Sequence, residues 1–68
     1  MNATIQPKPL QVVYHQRSER NGWQPIRTQP TDAPDLDPYD LWAIRHMIDT
    51  GAQTVTLGWN MWELRPAQ

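Results

Sequence analysis

The chain has 68 residues, with no cysteine, four tryptophans, seven prolines and a formal net charge of −1. That length holds one small domain, which buries only about 60 % of the surface its unfolded form exposes; the missing cysteines exclude a disulfide framework, a thiolate zinc site and a thiol nucleophile. A near-neutral charge argues against a generic polyanion binder, and with no membrane-length apolar run and no basic-then-apolar leader at the start, a cytoplasmic protein is expected.

Met1–Pro9 is polar and contains Pro7 and Pro9, which predicts an extended or disordered lead-in over 1–9, followed by a single domain over 10–66. From Leu10 to Gln16, Leu10, Val12 and Tyr14 fall on one face and Gln11, Val13 and His15 on the other, the period of a half-buried strand. Arg17–Gly22 is polar and ends in Asn21-Gly22, a dipeptide suited to a turn. Trp23–Arg27 then returns as a second strand, expected to be short and at a sheet edge because Pro25 lacks an amide hydrogen. Thr28–Asp37 reads as a loop, broken by Pro30 and Pro34.

A helix is predicted over Pro38–Thr50. Asp37 supplies the N-cap, Pro38 suits the first turn, Asp40 favours the positive end of the dipole, and Gly51 is the expected terminator. Gln53–Leu57 alternates again, with Val55 and Leu57 on one face. At Gly58-Trp59-Asn60 the apolar positions change parity, to Trp62 and Leu64. A bulge in one strand or a tight turn into a fourth strand would explain this, and the flanking glycine and asparagine favour the turn.

These elements specify an α+β domain: a small antiparallel sheet of three or four strands with one helix packed on one face, in the order ββαβ or ββαββ. Its expected core is Leu10, Val12, Tyr14, Ile26, Leu41, Ile44, Ile48, Val55 and Leu57. On a helical wheel Leu41, Ala43, Ile44, Met47 and Ile48 share one arc; Tyr39, Trp42, Arg45, His46 and Asp49 share the opposite one. Charges are segregated too. Residues 1–31 carry Lys8, Arg17, Arg20 and Arg27 against Glu19 alone, and residues 32–40 carry four aspartates and no cation. A basic hairpin and an acidic loop attracting each other by modest surface amounts is the expectation.

No catalytic constellation emerges. Ser18 is the only serine, and His15 three residues earlier gives no nucleophile elbow. His15 and His46 have no metal-ligand spacing, and the acidic run from Asp35 departs from the calcium-loop pattern after two positions. No glycine-rich phosphate loop is present, so neither a metal nor a cofactor is expected. What remains is aromatic surplus: tryptophan, tyrosine and arginine are enriched at binding hot spots. The sequence therefore points to a small non-enzymatic protein-binding module. Its expected anchors are Tyr39, Trp42, Arg45 and His46, with Trp59 and Trp62 as a second patch, and its partner is another protein or a second copy in a homodimer. Small chains without catalytic groups often serve as accessory regulators or inhibitors, many of them encoded by phages or mobile elements, and steric occlusion of a larger target is the mode expected here. Two alternatives compete. Trp42 belongs to a second small core covered by the lead-in or the acidic loop, or Arg17, Arg20, Trp23 and Arg27 form a basic ribbon that binds nucleic acid.

Overall fold

In the computed structural model, which describes residues 10–67, the helix starts and stops where its capping residues stand. Asp37 caps α1 (Pro38–Thr50). Its side chain accepts from the Asp40 amide, the Asp40 side chain accepts from the Asp37 amide, and Gly51 ends the helix at φ 75°. Such reciprocal capping satisfies two amide donors that a helix start otherwise leaves unpaired.

Four strands surround that helix in sequence: β1 (Leu10–Ser18) and β2 (Gly22–Pro30) before it, β3 (Thr54–Leu57) and β4 (Asn60–Pro66) after it. They form one antiparallel sheet in the order β2-β1-β4-β3, so each hairpin supplies one central and one edge strand. Residues 58–60 make a turn rather than a bulge. Gly58 lies at φ 63° and Trp59 at a negative φ, the pattern of a type II′ hairpin that only glycine enters without strain. The element order is thus ββαββ.

Strand β2 is longer than the alternation suggested. It runs on through Thr28 and Gln29 to Pro30 because its outer side needs no hydrogen-bonding partner, which lets an edge strand tolerate proline. The irregularity falls beside Pro25: Tyr14 pairs with Arg27 and His15 with Pro25, leaving Ile26 as an extra residue. That bulge corrects the expected core, since Ile26 is exposed.

The core lies between α1 and one face of the sheet. Val12, Ala43, Ile44, Met47 and Trp62 are buried, and Tyr14, Leu36, Val55 and Leu64 pack against them. Leu10, Leu41, Ile48 and Leu57, also expected inside, are exposed. The buried helical stripe is Asp40, Ala43, Ile44 and Met47, so the inward arc is narrower than the apolar side chains suggest: Asp40 lies at its middle, between Met47 and Ile44, and Leu41 and Ile48 lie at its exposed margin. The expected lead-in over 1–9 lies outside the described residues.

Candidate functional site

The burial of Asp40 on α1 has an electrostatic cause. Asp40, 1 % exposed, accepts four hydrogen bonds. Arg27 of β2 meets it with both terminal nitrogens at 2.9 Å, the Trp62 indole Nε1–H donates at 2.9 Å, and the Asp37 amide donates at 3.1 Å. Burial alone would push this carboxyl up; the bonds from Arg27, Trp62 and the Asp37 backbone outweigh it and hold it below the usual carboxylate range. The Arg27 guanidinium also sits 4.9 Å above the Tyr14 ring centroid and donates to Gln29, which in turn donates to Asp35. The basic hairpin and acidic loop do meet, through one buried carboxylate rather than a diffuse surface attraction. Tyr14 in turn donates to Asn60 and accepts from Gln16.

An open cavity of about 450 Å³ borders this network, between Tyr14, Arg27, Asp37, Tyr39, Leu57, Asn60 and Trp62. Its charged wall is already paired internally, Arg27 with Asp40 and, at 3.8 Å, with Asp37. Beside it lies a smaller cleft of about 240 Å³ with apolar walls from Pro38, Tyr39, Trp42 and Leu57. Here three side chains from the first turns of α1 face the end of β3. Trp42 is 44 % exposed yet fixed on two sides, with its ring stacked on His46 at 5.7 Å and edge-on to Trp62 at 6.1 Å. It therefore offers a held aromatic face, a geometry with little rotamer freedom left to lose on binding.

Of the expected anchors, Tyr39, Trp42 and His46 come together on this flank. Arg45 instead reaches Asp49 one turn on, at 3.8 Å, with both side chains largely in solvent. Trp59 is exposed at the β3–β4 turn, with the Arg17 guanidinium 5.6 Å from its ring. Trp62 is corrected outright: it is 3 % exposed, and it belongs to the core and to Asp40. Strand parity separates these two, since one residue past the turn the side chains change faces.

The opposite face of the sheet carries a different set. Val13 and His15 are buried there, and His15 Nε2 lies 3.1 Å from Glu63 Oε1, which also takes Arg65 at 2.9 Å. The bond from Arg65, helped by His15 and opposed by partial burial, holds the Glu63 carboxyl below its ordinary range. Arg17 pairs across the hairpin with Trp23, so both stand on this face, whereas Arg27 pairs with Tyr14 and stands on the helix side. The basic ribbon is thus split: Arg27 leaves it, and Arg17, Arg20 and Trp23 remain.

Sequence reasoning missed Leu57 and Pro38 as walls of the cleft and Arg27 as the partner of Asp40. The D-x-x-D spacing of Asp37 and Asp40 was the available signal for the cap. The burial of Asp40 also had a signal in the helical spacing, since it stands three, four and seven residues before Ala43, Ile44 and Met47 on one face. Among the described residues no group of three or more His, Cys, Asp or Glu side chains is placed to hold a metal ion, and no helix is long and apolar enough to cross a membrane. Compared with protein families, curated proteins and solved structures, the chain matches none.

Proposed function

We propose that this chain is a non-enzymatic protein-binding module that acts in the cytoplasm by filling a site on a larger protein and excluding that site's usual ligand. The observation that carries this reading is the apolar cleft of Pro38, Tyr39, Trp42 and Leu57. An exposed apolar concavity rimmed by aromatics is where a partner's side chain gains the most from leaving water. The neighbouring polar groups support the same reading. Arg27, Asp40 and Trp62, beside the cleft, spend their hydrogen bonds on one another, and Trp62 braces Trp42 edge-on, so they support the cleft rather than offer reactive groups. Trp42 and Tyr39 are the anchors, with His46 stacked behind Trp42. An accessory regulator or inhibitor is the role such a module fits.

The test is site-specific photo-crosslinking in cells that encode the chain. A crosslinker at Tyr39 should capture a defined protein band that the same group at Thr28, on the far face of β2, does not. Equal capture from both positions, or none from Tyr39, overturns the proposal.

A further inference from the structure

We infer that β3 is a self-pairing edge, and that two copies of this chain join through it into one eight-stranded antiparallel sheet. The inference goes beyond the aromatic cleft and does not depend on it. Among the described residues both ends of the sheet are edges, and they are built differently. Strand β2 carries Pro25 and Pro30, a bulge at Ile26 and the charge of Arg27, all devices that keep an edge from pairing. Strand β3 is Thr54-Val55-Thr56-Leu57, β-prone throughout, with no proline, charge or bulge.

The hairpin fixes which backbone groups of β3 are free. Leu57 and Asn60 flank the two-residue turn and are therefore a hydrogen-bonded pair. Bonding alternates along the ladder, so Val55 bonds Trp62 and Gln53 bonds Leu64, the last seen as the Leu64 amide on the Gln53 carbonyl at 2.9 Å. The amides and carbonyls of Thr54 and Thr56 consequently point outward.

A two-fold axis normal to the sheet, midway between the Val55 residues of the two copies, sets Thr54 of each copy opposite Thr56 of the other. All eight outward groups are then used, in four hydrogen bonds, and both helices stay on one face. Symmetry adds a condition, because a charge on the axis would meet itself. Thr50–Trp62 is thirteen residues without a charged side chain, the longest such run in the sequence, and β3 lies within it. A chain of this charge-free composition fits its own copy better than a charged partner. In this register Leu57, 46 % exposed in the single chain, lies beside Gln53 of the other copy.

Sedimentation equilibrium over a wide concentration range tests this, with Thr28→Lys as a control on the guarded edge. The wild-type chain and the control should pass from one chain's mass to two. Thr54→Lys with Thr56→Lys sets like charges opposite each other and should weaken dimerisation at least about tenfold. Thr54→Lys with Thr56→Asp sets opposite charges together across the axis, with the lysine opposite Glu63 of its own chain, and should restore it. Because the chain has no cysteine, Val55→Cys gives one thiol per copy, about 4.5 Å from its counterpart between Cα atoms, and should oxidise to a disulfide-linked dimer. A chain that stays monomeric at every concentration overturns the inference. So does a dimer that tolerates the double lysine variant or fails to crosslink at Val55. Leu57 borders both this interface and the cleft, so the β3 variants are confined to Thr54, Val55 and Thr56, none of which lines the cleft.

Discussion

At the N-terminal end of α1 two adjoining regions treat their polar and apolar groups in opposite ways. Around Asp40 a buried carboxylate has its acceptors matched by Arg27, Trp62 and the Asp37 amide; around Tyr39 and Trp42 apolar side chains are left facing water. The contrast separates fold from function. A buried carboxylate is tolerable only if its partners are complete, so the Asp40 network is committed to stability. The cleft makes no such demand on the fold. Changes at Asp40 should therefore unfold the protein, and changes at Tyr39 should leave it folded but idle.

The largest effect is expected for Asp40→Ala. It leaves the Arg27 guanidinium and the Trp62 indole without their acceptor and removes half of the helix cap. Breaking a buried ion pair costs about 3–5 kcal/mol, and the lower end applies because the Arg27 side chain is itself 35 % exposed. Urea unfolding should show this as an earlier midpoint at unchanged slope. A loss under about 1 kcal/mol would mean that the network does not hold the helix to the sheet.

Acid should imitate part of that loss. The folded-state pKa of Asp40 lies below its ordinary value, as does that of Glu63. Both therefore contribute stability above the unfolded-state carboxylate range, and that stability is lost as pH falls through their lowered folded-state values. The melting temperature should hold near neutrality and fall below about pH 4. Asp40→Asn should flatten that fall, leaving only the share from Glu63, which Arg65 and His15 stabilise. An undiminished fall in the Asn variant would place the acid sensitivity elsewhere.

Trp62→Phe isolates one bond of the network. It keeps an aromatic ring in the core but removes the Nε1–H that reaches Asp40, for a loss of about 1–3 kcal/mol. Trp42→Ala comes next, at about 1 kcal/mol, because it forfeits the edge contact with Trp62 and the stack on His46. These two tryptophans place the boundary between the regions. If Trp42→Ala costs as much stability as Trp62→Phe, then the cleft is an outer layer of the core, and its exposed face has no separate purpose.

Much of this boundary is legible in the sequence, and what is not has a physical reason. Capping is local chemistry, so Asp37, Pro38 and Gly51 mark α1 without help from the rest of the chain. Parity is local as well, which is why the change of phase across Gly58-Trp59-Asn60 already says that Trp59 and Trp62 cannot share a face. Which of them goes inward is decided by Asp40, twenty-two residues before Trp62 and on another element. The same long-range contact bears on Leu41 and Ile48. Counting apolar side chains alone widens the helical stripe toward them, whereas Asp40, between Met47 and Ile44 on the helix, fills the middle of the buried arc once Arg27 arrives from β2. Strand β2 was hard to bound for a related reason. Proline forbids a central strand but not an edge, and position within a sheet is a property of topology.

The smallest effect on stability is expected where the effect on function is largest. Tyr39 is 63 % exposed and meets the chain mainly through the walls of the two cavities, so Tyr39→Ala should shift unfolding by no more than about 0.5 kcal/mol. Truncating an aromatic anchor at the centre of an interface typically costs about 2 kcal/mol or more, roughly thirtyfold in affinity. Titration of the partner captured through Tyr39 against the wild-type chain and the Tyr39→Ala variant reads this difference directly. A weakened complex with an unmoved unfolding curve is the signature of a docking residue. Equal affinity for both chains would confine recognition to Trp42 and Leu57, and a joint loss of affinity and stability would return Tyr39 to the fold.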